Sequence, residues 1–126
     1  MAKFFKCMIC GNFTESIVDS GVPMICCGQE MDEVVADTQE NVALEKHIPE
    51  VSVEGNKVSV VVGAVIHPMV PEHYIEWIHL ETNLGGHRIN LHPGEPPAAT
   101  FHLAEGEVPV AAYEYCNLHG LWKKLF

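Results

Sequence analysis

Four cysteines crowded into residues 7–27 constrain this chain more than any other feature. Cys7 and Cys10 stand in "CMIC", Cys26 and Cys27 in "CC", and residues 11–25 separate the two pairs. The surrounding segment, residues 1–36, has few large apolar side chains. So short a piece cannot bury a sufficient core and needs a staple. Two thiol pairs at this spacing supply one, because each pair presents two thiolates from one knuckle and two knuckles close a tetrahedron. A glycine follows each pair (Gly11 and Gly28), as suits a turn that aims backbone N–H groups at sulfur. Structural zinc and iron both suit four thiolates. The adjacent Cys26-Cys27 departs from a standard zinc ribbon, since neighbouring side chains usually diverge, and a vicinal disulfide is a third reading.

The start "MAKFFKCMIC" runs from basic residues straight into cysteines, with no apolar core and no small-residue cleavage site, which reads as a cytoplasmic protein. Thiols in that compartment are metal ligands or reactive groups before they are disulfides. The longest apolar stretch, "VSVVVGAVI" (58–66), is too short to span a bilayer. The formal charge is −10, from 7 basic and 17 acidic residues, which argues against nucleic acid. The same charge repels an anionic substrate at long range unless local cations reverse the field.

After the cysteine-rich segment, residues 37–46 ("DTQENVALEK") are polar and lack strand alternation, which suits a linker or exposed loop. From Val51 onward the pattern becomes strand, turn, strand. "VSV" and "KVSVVVGAV" flank "EGN", a hairpin signal. "YIEWIHLET" (74–82) leads through "NLGG" to "HRINLH", a second hairpin. "AATFHLA" and "VPVAAYEYC" continue the series, and no helical stretch reaches three turns. An all-β sandwich or barrel is expected.

The fifth cysteine, Cys116, lies far from the other thiols but three residues from His119, in "CNLHG". Of eight histidines, His47, His67 and His73 each stand beside a proline or one residue from it, in loop-like sequence. Loops at the end of a β sandwich are good places for such groups to converge. His79, His87, His92 and His102 fall in or beside expected strands and read as ordinary core or surface histidines. One thiolate with several imidazoles supplies up to five donors, more than structural zinc takes, and points to a mononuclear redox metal such as iron or copper.

Taken together, the Cys7–Cys27 spacing, "EKHIP" (45–49), "HPM" (67–69), "EHYIEWI" (72–78) and "EYCNLHG" (114–120) followed by "WK" resemble the desulfoferrodoxin family of two-iron superoxide reductases. The resemblance covers nearly the whole chain, without departure at a ligand position. It implies a rubredoxin-like iron on Cys7, Cys10, Cys26 and Cys27. It implies a second iron with His47, His67, His73 and His119 in a plane and Cys116 axial, opposite an open sixth position. The implied fold is a desulforedoxin-like domain (1–36), a linker or active-site loop (37–46) and an immunoglobulin-like β sandwich (47–126), in a homodimer. The implied reaction takes superoxide, one electron and two protons to hydrogen peroxide, with a rubredoxin-type protein as donor.

Beside His47, Glu45 and Lys46 form a charged pair that would ordinarily be solvated. On the family pattern Lys46 supplies local positive potential for superoxide, and Glu45 occupies the open position once product has left. Two other readings compete: an electron carrier working through the four-thiolate iron, and a zinc-stapled interaction module. A five-donor site has no use in the first, and iron analysis would separate the second.

Overall fold

The computed structural model describes residues 1–40 and 42–126 in two units, Met1–Val35 and Ala36–Phe126. Position 41, inside the expected 37–46 linker, lies outside the described residues. No helix among the described residues is long and apolar enough to cross a membrane.

In the first unit, β1 (Phe4–Lys6) pairs antiparallel with β2 (Phe13–Glu15) and β5 (Asp32–Val34). A separate two-stranded ribbon joins β3 (Ile25–Cys26) to β4 (Gln29–Glu30). Its buried apolar side chains are Phe4, which lies against Phe13 at 6.2 Å, and Cys7, whereas Ile17 and Val18 are almost fully exposed. Apolar burial on this scale does not offset the conformational entropy of thirty-odd ordered residues, so the staple is a physical necessity. The β3–β4 turn resolves the adjacent cysteines. Cys27 and Gly28 are its two central residues, with φ of 54° and 76°, as a type I′ turn demands. A left-handed conformation is costly for a non-glycine residue, and here it swings the Cys27 thiol back beside that of Cys26.

The second unit begins with a one-turn helix, α1 (Leu44–His47), within the segment expected to be linker or loop and its neighbour. Seven strands follow: β6 (Pro49–Glu54), β7 (Lys57–Val62), β8 (Ile75–Thr82), β9 (Gly85–Asn90), β10 (Ala98–His102), β11 (Pro109–Cys116) and β12 (Gly120–Leu125). They form two antiparallel sheets, of order β10-β7-β6 and β12-β11-β8-β9. Alternation does the sorting: Val58, Val60 and Val62 of β7 point inward with no exposed surface, against Ile78 and Leu80 of β8, Ala112 and Cys116 of β11 and Phe101 of β10. This is the expected sandwich, and Cys116 belongs to its apolar core. Both hairpins appear, the second tighter than "NLGG" suggests, since Thr82 already pairs with Gly85. Gly86 enters β9 because the His79 ring covers it: a Cβ there would sit 2.6 Å from His79 Cε1.

Candidate metal centres

In the first unit the four thiols of Cys7, Cys10, Cys26 and Cys27 lie within 4.8 Å of one another. Cys10 Sγ is 3.6 Å from Cys26 Sγ. Thiolates tetrahedral about an ion at about 2.3 Å would stand about 3.8 Å apart, so the pocket has the size of a four-coordinate metal. Backbone N–H groups of Cys10 and Ile9 point at Cys7 Sγ and bring its pKa down to about 6. Hydrogen bonding to Cys10 and Cys7 favours the protonated thiol of Cys27 and pushes it up to about 12, with burial adding to the rise.

The second unit gathers donors from four stretches of chain. His47 ends α1, His67 follows β7, His73 precedes β8, and Cys116 and His119 flank the β11–β12 turn. The four rings occupy the corners of a square. Successive centroids, His47–His67–His73–His119 and back to His47, are 4.7, 4.6, 5.0 and 4.8 Å apart, each pair at 79–86°, and the His47–His73 diagonal is 6.3 Å.

Hydrogen bonding decides what lies inside the square. His47 Nδ1 is 2.8 Å from the Ala43 carbonyl and His67 Nδ1 is 2.7 Å from that of Pro68. A carbonyl only accepts, so both Nδ1 atoms carry the proton and both Nε2 atoms turn lone pairs inward. Those lone pairs are 3.2 Å apart, and His119 Nδ1 lies 3.0 Å from His47 Nε2. His73 Nε2 is buried without a partner among the described residues. Protonation does not relieve the crowding: burial lowers the proton affinity of His47 and His73 and takes His67 to about 4. A cation between the inward-facing nitrogens of His47 and His67 would relieve their lone-pair contact. At a metal–nitrogen length of about 2.1 Å, neighbouring nitrogens stand about 3.0 Å apart in a square and about 3.4 Å apart in a tetrahedron. The observed 3.0 and 3.2 Å, with the square of rings, favour the former.

Cys116 Sγ completes the set, fully buried and 4.0 Å from His119 Nδ1. Burial raises its pKa, while the backbone N–H groups of Leu118 and His119 oppose the rise by pointing at the sulfur. Such donors withdraw charge from a metal-bound thiolate and so tune it.

Three further residues lie close to the site, two of them, Glu114 and Trp122, within the "EYCNLHG" and "WK" motifs. Trp122 lies 5.5 Å from the His47 ring and donates its indole N–H to the His119 carbonyl at 3.0 Å. Gly63, with φ of 85°, ends the β7 side of the site. A Cβ there would fall 2.4 Å from the Val65 carbonyl and 2.8 Å from both the Glu45 carbonyl and Lys46 Cα, so only glycine admits that crossing of chains. Glu114, fully buried on the core face of β11, has neither oxygen paired among the described residues, and burial drives its pKa well up. Glu45 is exposed and Lys46 half-buried beside His47, and the lysine charge contributes to the lowered proton affinity of both His47 and His73. Of the remaining histidines, His87 pairs with Glu107 and His92 with Glu95, each at 2.8 Å.

Comparison with known proteins completes the identification. A family model described as desulfoferrodoxin matches residues 39–125, and one described as the desulfoferrodoxin N-terminal domain matches residues 1–34. The chain belongs to the desulfoferrodoxin family. It is 44% identical over 121 residues to a desulfoferrodoxin homolog of Archaeoglobus fulgidus, covering 96% of this chain and 94% of that one. Its structure is similar to that of the superoxide reductase from Treponema pallidum, with a TM-score of 0.82, 37% identity and 98% of each chain covered. The one-iron superoxide reductase of Giardia intestinalis matches with a TM-score of 0.56 and 33% identity, over 65% of this chain and 97% of that one.

Proposed function

We propose that this desulfoferrodoxin is a superoxide reductase, working in the cytoplasm as a homodimer with electrons from a rubredoxin-type protein. The observation that carries the reading is the square of imidazoles, with the lone pairs of His47 and His67 turned inward, and a buried thiol beside it. His47, His67, His73, His119 and Cys116 would hold one iron, and Cys7, Cys10, Cys26 and Cys27 would hold another. Bound in the five-donor site, iron supplies a one-electron couple that takes superoxide, with two protons, to hydrogen peroxide. Five protein donors leave a sixth position for a small molecule, which four-coordinate structural sites do not.

The chain's own groups do the rest. The Ala43 and Pro68 carbonyls fix the tautomers of His47 and His67, so those nitrogens meet the metal without first losing a proton. Cys116 donates charge, moderated by the N–H groups of Leu118 and His119. Lys46 places a cation beside the site on a protein of formal charge −10, drawing in an anion that the rest of the surface repels. Glu45, exposed on the same short helix, would supply a carboxylate able to approach the metal site at rest. In domain terms, residues 1–36 hold the first iron, 37–46 form the loop that brings Glu45 and Lys46 to the site, and 47–126 form the reductase domain.

Metal analysis of protein from its native source, combined with pulsed superoxide, tests this reading. Two irons per chain and rapid oxidation of the reduced five-donor centre, with peroxide and no dioxygen as product, are expected. Zinc in the five-donor site, or dioxygen evolved with peroxide, would refute it.

A further inference from the structure

His47 and His67 are oriented through their own rings, but His73 has no such bond among the described residues. Its place is set by its backbone. The His73 N–H and carbonyl exchange hydrogen bonds with Val70, both 3.0 Å. The peptide groups on either side go to a single side chain. Asn117 Nδ2 donates to the Glu72 carbonyl at 3.1 Å, and the Tyr74 N–H donates to Asn117 Oδ1 at 2.9 Å. The Asn117 N–H also donates to the Tyr74 carbonyl at 3.2 Å. The amide can stand only one way round, since the opposite orientation would set NH2 against N–H and oxygen against oxygen.

Asn117 directly follows Cys116 and lies two residues before His119. One side chain therefore grips both flanks of His73 from the turn that carries two other donors. We propose that Asn117 is a positioning residue for the five-donor metal: it fixes His73 relative to Cys116 and His119 and so sets how tightly the square closes. This inference rests on the reading that the five donors share one ion. Aspartate keeps an acceptor for Tyr74 but turns a second oxygen on the Glu72 carbonyl. Alanine leaves both peptide groups unpaired, and neither change removes a donor.

The test is a double-mutant cycle on the full-length chain with Co2+ as probe metal, its affinity at the five-donor site measured by chelator competition and its coordination by visible d–d bands. Asn117→Ala should lower Co2+ affinity about 10- to 100-fold, the usual cost of losing an outer support, and intensify the d–d bands as one nitrogen withdraws. His73→Ala should also weaken binding. In the His73→Ala background, Asn117→Ala should cost less than about threefold more, because its effect passes through His73. Asn117→Asp, which retains one clamp bond, should give a smaller loss and guards against a poorly folded alanine variant. Unchanged affinity in both Asn117 variants would overturn the inference, as would an equal loss with and without His73. Unchanged affinity in His73→Ala would overturn the five-donor reading itself and the inference with it.

Discussion

Replacing Lys46 with isoleucine removes the cation beside His47 and leaves a shorter, uncharged side chain. Take an anion at about 7 Å from the ammonium, beyond contact but within one Debye length. Two unit charges at that distance attract by about 2.4 kcal/mol at an effective dielectric of about 20, and by about 0.6 kcal/mol in bulk water. A half-buried lysine lies between these limits. Capture of superoxide should therefore slow by about three- to sixtyfold at low salt. At about 1 M salt the Debye length of about 3 Å leaves roughly a tenth of the attraction, and parent and variant should nearly coincide. Lys46→Arg should keep both the rate and its salt dependence. Pulsed superoxide at about 0.01 M and about 1 M salt, following oxidation of the five-donor centre, measures all three proteins. Equal rates for parent and Lys46→Ile at low salt would remove steering from the mechanism. A deficit that persists undiminished at high salt would mean that Lys46 acts by contact and not by its field.

Cys116→Ser should abolish the thiolate-to-iron absorption of the oxidised five-donor centre and most activity even where iron stays bound, a change read directly from the visible spectrum. Cys7→Ser removes the thiol held most acidic in its cluster, at about 6, and should empty or distort the first site in metal analysis. The two donor sets share no residue, so the superoxide rate of the filled second site should change less than about twofold. Glu107 accepts hydrogen bonds from Thr82, at 2.6 Å, and from the Ala104 N–H, at 3.0 Å, and pairs with His87, which together hold its pKa at about 2. An unfolded glutamate titrates near about 4.3, so this stabilisation is complete above that pH and fades as pH falls towards about 2. Glu107→Gln should therefore melt below the parent at pH 7, and the gap should shrink at pH 3.

The candidate donors are legible because metal chemistry tolerates few residue types, and the spacing of the cysteines and His119 is local: Cys-x2-Cys, adjacent cysteines, Cys-x2-His. The strand count was less so. The reading stopped at Cys116 and did not expect β12, where Leu121 and Trp122 are both buried and the alternation that announces a half-buried strand is missing. The adjacent cysteines looked unsuited to one metal until the left-handed turn at Cys27 showed how their sulfurs meet. Nothing in residue type predicts that conformation, which a tetrahedron of sulfurs imposes on a residue that resists it.

What the sequence withheld is how five donors are held at a fixed separation. Asn117 acts on residues 43 or more positions away, Trp122 packs against the distant His47 ring and Gly63 sits at a chain crossing, so these partners exist only once the sandwich has formed. Charge follows the same logic. A formal charge of −10 predicts repulsion of an anion, yet it averages over the whole surface, whereas a substrate near the site feels mainly charges within about 8 Å. Within that range Lys46 contributes a full positive charge that already depresses proton uptake by two imidazoles of the square. Burial is the main reason that His47 and His73 resist a proton, and the Lys46 field that adds to it acts with the opposite sign on superoxide. Lys46→Ile should therefore ease protonation of the apoprotein's histidines while it slows capture of the anion.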